Sequence, residues 1–204
     1  MRSRNSTLVN RAPQSRTNVV QRAHLMREVI EVIIFVVLVF LIVHFALAVR
    51  TIVDPKMSPA LKQGQWVAIN QMAYIFGTPS RGELVLMADP SNNSNVMIRR
   101  VIGLPGDTIT LTATTVAVNG VTLTESYVQA NPGVPANPVV GNFTVPQDSF
   151  YVLGDNRTEA DDSRQFGMVP RQNISGKALA VYWPLSSFHF LTDYAAVFSN
   201  VPHR

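Results

Sequence analysis

The 204-residue chain contains no cysteine. This excludes disulfides, thiol catalysis and thiolate metal sites, and it is compatible with a compartment outside the reducing cytosol. Histidine is scarce as well. His24, His44, His189 and His203 fall in a polar tail, an apolar run and the C-terminal region, a scatter that argues against a Ser-His-Asp triad. Lysine occurs only at 56, 62 and 177. Net charge is +4 but unevenly placed: residues 1–28 hold six arginines against Glu28, or +5, and the remaining 176 residues carry −1. A nucleic-acid-binding surface needs basic residues spread over the folded part, so nucleic acid is not an expected partner.

The basic tail makes sense beside a membrane. Residues 1–23 are polar with no apolar period and read as unstructured. Val29–Val49 is then almost wholly apolar, interrupted only by Glu31 and His44, and it lacks proline and glycine. At about 1.5 Å per residue it crosses a ~30 Å hydrocarbon layer. The arginines precede it, which predicts a cytoplasmic N-terminus and an extracytoplasmic remainder. Ala46-Leu47-Ala48 has the small-x-small form of a signal-peptide cleavage site, but the preceding segments are too long, and an uncleaved anchor is the favoured reading.

After Thr51 the chain breaks into short strand candidates: 65–70, 82–88, 96–102, 108–112, 115–119, 150–153 and 178–183. Asn119-Gly120 marks a type I′ hairpin turn, and 131–142, rich in Pro, Gly and Asn, reads as an exposed loop. The organisation expected is a basic tail (1–28), a transmembrane anchor (29–49) and an all-β antiparallel, barrel-like domain (50–204).

Three stretches carry the chemistry. Ile98–Asp107 (IRRVIGLPGD) begins as a β-branched strand and ends in a Pro-Gly turn. Its adjacent Arg99 and Arg100 must point to opposite faces, so one of them faces inward or into a cleft, and an inward guanidinium needs a carboxylate. Gly154–Gly167 (GDNRTEADDSRQFG) supplies Asp155, Arg157, Asp161, Asp162 and Arg164 within ten residues, enough for a paired network. Asp54–Leu61 (DPKMSPAL) directly follows the apolar run.

In this order, behind one apolar run, the three stretches resemble the boxes of type I signal peptidases, membrane-anchored serine proteases that remove signal peptides. Leu104-Pro105-Gly106-Asp107, Gly154-Asp155-Asn156-Arg157 and Asp162-Ser163-Arg164 match as they stand. The resemblance implies an antiparallel β-fold with an apolar face near the bilayer, and exported or signal-peptide segments laid along strand edges. It also implies pairing of Arg100 with Asp155 and of Asp162 with Arg164, and it calls for no metal and no cofactor.

The resemblance breaks at the catalytic residues. The family uses a serine nucleophile and a neutral lysine base. Here the nucleophile position is Lys56 and the base position is Arg99, while Ala60 and Ala160 replace a threonine and a serine. A guanidinium, with a pKa above ~12, is no base near neutral pH. Asp54 stands beside the expected oxyanion hole, where a carboxylate opposes the developing charge, and is expected to pair with Lys56 or Arg99. Ser58 shares a face with Lys56 if the segment is extended, and is an alternative nucleophile. Three readings stay open: an inactive relative that binds exported peptides and assists an active peptidase or surface assembly, an active peptidase working through Ser58, and a tethered β-domain with a structural role.

Overall fold

A computed structural model describes residues 14–128, 140–158 and 161–202. The chain divides into two compact units, 1–44 and 45–204. The first is carried by helix α1 (Gln14–Ala46). Its stretch His24–Ala46 is 23 residues long with a mean hydropathy of 3.0 in its most apolar window, and its described valines, leucines, isoleucines and phenylalanines are exposed. Such a helix is long and apolar enough to cross a membrane. It departs from expectation at both ends. Residues 14–23, expected to be unstructured, are helical. Leu47–Val49, expected inside the span, belong instead to strand β1 (Leu47–Thr51). Apolar composition alone does not separate helix from strand. Here a partner decides, because β1 pairs antiparallel with β2 (Trp66–Asn70) in unbroken register from Leu47↔Asn70 to Thr51↔Trp66.

The second unit is antiparallel throughout. Along the chain follow β3 (Leu84–Asp89), β4 (Asn92–Gly103), β5 (Thr108–Leu111), β6 (Val116–Val118), β7 (Val121–Thr122), β8 (Gly141–Thr144) and β9 (Ser149–Leu153). A single helical turn, α2 (Ser163–Phe166), precedes β10 (Val169–Pro170), β11 (Ile174–Trp183) and β12 (His189–Phe190). One sheet runs β1-β2-β11-β3-β4-β9-β10, with β12 added to β11; the smaller runs β7-β6-β5-β8. Gly141 and Asn142, expected in a loop, start β8 because they pair with Leu111 and Thr110; positions 131–139 of that expected loop lie outside the described residues.

Three apolar clusters fill the unit. Ile52, Met57, Leu61, Ile98 and Val181 pack in one, under the segment that carries Lys56. Tyr74, Val85, Val101 and Phe150 belong to another. The two sheets meet at the Pro-Gly turn after β4. Gly106 takes φ +84°, and the Asp107 amide donates to the Leu104 carbonyl at 3.0 Å, as a type II turn requires. The Asp107 carboxylate is buried and accepts from the Leu104 amide, from Arg81 through Nε at 2.8 Å and Nη2 at 2.6 Å, and from Asn119 Nδ2 at 2.8 Å. Burial by itself would raise this carboxyl, but those donors outweigh it and hold it below the ordinary range. Asn119 (φ 51°) and Gly120 (φ 82°) form the two-residue turn between β6 and β7, so one hairpin tip helps to satisfy the anion in the other turn.

Candidate functional site

Strand β4 delivers Arg99 and Arg100 to opposite faces, and both are buried, at 1% and 0% exposure. Arg100 makes a forked pair with Asp155, Nε to Oδ1 at 2.7 Å and Nη2 to Oδ2 at 2.6 Å. Its remaining Nη1 donates to the carbonyls of Gly82 and Thr192. The guanidinium carbon lies 4.3 Å from the ring centre of Tyr127 and 5.0 Å from that of Tyr194, within cation–π range. Burial pushes the Asp155 carboxyl up, and Arg100 and Arg157 pull against it. Gly82 is needed here, since a Cβ would stand 1.8 Å from the Asp193 carbonyl oxygen.

On the other face Arg99 Nε donates to the Asp161 carbonyl at 2.8 Å, Nη2 reaches Asp161 Oδ2 at 3.3 Å, and Nη1 donates to its own neighbour's carbonyl, Ile98, at 2.6 Å. Burial lowers Arg99 from its ordinary value, and the carboxylates of Asp54, Asp161, Asp162 and Asp89 oppose this. The same Asp161 Oδ2 accepts from Lys56 Nζ at 2.5 Å. One carboxylate oxygen therefore holds both cations, each only partly or not at all open to water: 25% exposure for the Lys56 side chain, 1% for Arg99.

The ion cluster expected at Asp54 is thus built on Asp161 instead. The Asp54 carboxylate accepts the Lys56 backbone amide at 3.1 Å, and among the described residues no cation lies within ion-pair distance of it. The reason is local geometry. A carboxylate two residues upstream in a turn bonds most easily to the backbone. Ser58 also departs from expectation. Residues 56–60 form turns, with the Ser58 amide donating to the Pro55 carbonyl and Leu61 to Met57, so the extended geometry that would align Ser58 with Lys56 is absent. No hydrogen bond joins Ser58 to Lys56 among the described residues.

Backbone contacts lock the segments together. The Lys56 carbonyl accepts the Asn156 amide at 3.0 Å and sits where a Cβ on Gly154 would come within 2.7 Å. Only glycine permits that approach. Asp162 caps α2 by accepting the Arg164 amide, takes two further bonds from the Arg164 guanidinium at 2.9 and 2.7 Å, and accepts the Gly154 amide at 3.1 Å. Arg157 pairs with Glu125 at 2.5 Å. Ala160 lies outside the described residues. Sequence reasoning missed the hub role of Asp161 and the parts played by Glu125, Tyr127 and Tyr194. Asp161 stands inside a recognised box, whereas the other three come from segments with no local signal.

A cleft opens beside the cluster, lined by Thr51, Ile52, Asp54, Met57, Ile98 and Arg99 among others. Its two walls are strand material with unused edges. Among the described residues, β1 pairs only with β2, and β9 covers β4 only from Arg100 onward.

The family model described as "Signal peptidase, peptidase S26" matches residues 25–183, the interval that contains Asp54–Leu61, Ile98–Asp107 and Gly154–Gly167. The chain belongs to this signal peptidase family. It is 38% identical to signal peptidase I of Leptolyngbya laminosa, over 74% of this chain and 76% of that one. To the probable signal peptidase I-2 of Synechocystis it is 36% identical, over 74% and 70%. Signal peptidase IB of Staphylococcus aureus shares 31% identity over 83% of this chain and 95% of that one. A crystal structure of a signal peptidase I from Enterococcus faecalis aligns with a TM-score of 0.43 and 32% identity, covering 50% of this chain and 97% of that one. Within the family, membrane association through α1 and signal peptides as the ligand class follow from membership.

Proposed function

We propose that the chain is a membrane-anchored signal-peptidase relative that holds exported peptide segments in its cleft without cutting them. The observation that carries this reading is the shared carboxylate. Lys56 and Arg99, at the positions where the family places nucleophile and base, are both engaged by Asp161. Peptide hydrolysis on this scaffold needs a hydroxyl to attack and a neutral amine to take its proton. An ammonium bonded to a carboxylate offers no lone pair, and a guanidinium surrounded by Asp54 and Asp161 keeps its proton. Asp54 at the cleft adds negative charge where the oxyanion of a tetrahedral intermediate would develop its own, against an effect worth ~3 kcal/mol per donor in active enzymes.

Binding does not need those groups. The unused edges of β1 and β4 present backbone donors and acceptors, and Ile52, Met57 and Ile98 form an apolar floor for small side chains. The six arginines before the apolar run that starts at Val29 support a cytoplasmic N-terminus with the β-unit outside. Exposed Trp66, Trp183, Leu185, Phe188 and Phe190 supply an apolar face for a bilayer or a partner. In this reading the chain presents exported segments to an active relative or to a surface-assembly system.

Purified full-length protein in lipid vesicles, mixed with a preprotein, should crosslink to it at the cleft and leave it intact. Specific cleavage that Ser58→Ala abolishes would overturn the reading in favour of a rearranged serine peptidase. The triple change Lys56→Ser, Arg99→Lys and Ala160→Ser should confer cleavage. Absence of both cleavage and crosslinking would favour a purely structural role.

A further inference from the structure

Lys56 and Arg99 converge on one point, and what occupies that point is a carboxylate. Lys56 Nζ and Arg99 Nη2 reach the same Asp161 Oδ2, at 2.5 and 3.3 Å. The rest of Asp161 is fastened independently: its amide donates to Gln165 Oε1 at 2.9 Å, and its carbonyl accepts Arg99 Nε at 2.8 Å. Those bonds keep the backbone at φ 76°, a conformation uncommon for a residue with a side chain. Among the described residues the carboxylate bonds only to this pair of cations, and its side chain is 26% exposed. The carboxylate can therefore rotate into water while the Asp161 backbone stays where it is. Arg99 then keeps its bonds to the carbonyls of Asp161 and Ile98 and has Nη2 to offer.

This point lies beside the cleft. Arg99 lines it, and Lys56 stands in the chain between Asp54 and Met57, which line it as well. Of the charged residues in the lining, Arg50 and Arg99 are cations and Asp54 alone is an anion. With the Asp161 carboxylate turned away, Lys56 and Arg99 together outweigh the single charge of Asp54, and one carboxylate from outside restores the balance. A free peptide end carries such a group, and the uncovered edges of β1 and β4 offer backbone bonds to the extended residues before it. We infer that the cleft takes peptides ending in a free α-carboxylate, which replaces the Asp161 carboxylate between Lys56 and Arg99, and that Asp161 is an internal competitor closing the site when no such end is bound. The inference rests on the peptide-holding reading above and narrows its ligand to segments already cut, supplied by a peptide-bond hydrolysis that another enzyme performs. An uncut chain presents a neutral amide at the same point. It does not replace a carboxylate between two cations, so the Asp161 pairs stay closed.

The test uses full-length protein in phosphatidylcholine nanodiscs and two probes followed by fluorescence anisotropy. One is an N-terminally fluorescein-labelled peptide of alternating valine and alanine that ends in a free carboxylate; the other is the same peptide ending in a carboxamide. The carboxylate form should bind about tenfold tighter at low salt, because only it forms charge-assisted bonds to both cations. The difference should shrink as salt is added. Asp161→Asn removes the charged competitor, so it should tighten binding of the carboxylate form several-fold and leave the carboxamide form unchanged. In that variant the bound carboxylate form should also slow acylation of the Lys56 amine, read by peptide mapping. Lys56→Met should erase most of the preference. Equal affinities for the two forms in the Asp161→Asn protein overturn the inference and leave peptide holding intact. A carboxylate preference that survives Lys56→Met assigns the anion to Arg50 at the cleft rim and overturns it as well. Failure of both forms to bind removes the inference together with the peptide-holding reading, whereas specific cleavage of a preprotein strikes at that reading alone.

Discussion

Arg99 and Arg100 are neighbours on one strand, equally buried, and differ in nearly everything else. Arg100 has a carboxylate to itself, two carbonyls and two aromatic rings, all from segments that close over it. Arg99 shares one carboxylate oxygen with Lys56, that oxygen belongs to a partly exposed residue, and Arg99 itself lines a cleft. The first arrangement is complete without any ligand and can only hold the fold together. The second is a site in which charges neutralise one another at the border of open space. Two identical side chains one residue apart therefore serve structure on one face of β4 and the candidate site on the other, and the pleat of the strand separates the roles.

The comparison makes ranked predictions. Arg100→Met leaves Asp155 buried without its cation and should lower stability by ~3–5 kcal/mol, read by urea unfolding of the full chain in detergent. A loss below 1 kcal/mol would mean that the forked pair is dispensable. Asp107→Asn removes the charge that Arg81 and Asn119 grip and should cost ~1.5–3 kcal/mol near neutral pH. Its folded carboxyl lies below the ordinary value, so its stabilisation is present above the unfolded pKa of ~3.9 and is lost as pH falls through the lower folded value. The stability gap between wild type and Asp107→Asn should therefore close as the solution is acidified below about pH 4, and a gap independent of pH would contradict the assignment.

Asp161→Asn should cost only about 1 kcal/mol, because Lys56 is accessible to water and Arg99 keeps its bonds to the carbonyls of Asp161 and Ile98. Its chemical effect should be larger than its stability effect. Lys56, released from the carboxylate, should react faster with an amine-directed acylating reagent, read by peptide mapping. Lys56→Met should change stability by no more than ~0.5 kcal/mol, the smallest effect in the series. A large loss there would make Lys56 a structural residue like Arg100 and erase the contrast.

Much of this contrast is legible in the chain itself. The resemblance of IRRVIGLPGD, GDNR and DSR to the family's boxes implies the pairing of Arg100 with Asp155 and of Asp162 with Arg164, which the structure shows, and Asn119-Gly120 names its hairpin. What escapes is anything set by segments distant in sequence. Glu125 reaches Arg157 and Tyr127 stacks on Arg100 from a stretch with no motif. Asp54 was the nearer carboxylate to Lys56 in sequence, yet Asp161, 105 residues away, holds its amine. The helix end at Ala46 was hidden because Leu47–Val49 are as apolar as the span before them, and only pairing with β2 marks the change.

By itself, the sequence determined the chemical inventory: an apolar helix behind a basic tail, strands of fixed period, and Lys56 and Arg99 within stretches that resemble the family's boxes. These follow from side-chain chemistry and local periodicity, which need no partner to be read. The tertiary structure decided which carboxylate neutralises which cation, that residues 56–60 turn rather than extend, and that Leu47–Val49 pair as a strand. Those outcomes depend on contacts closed across many residues, where the winner is set by geometry and burial rather than by proximity along the chain.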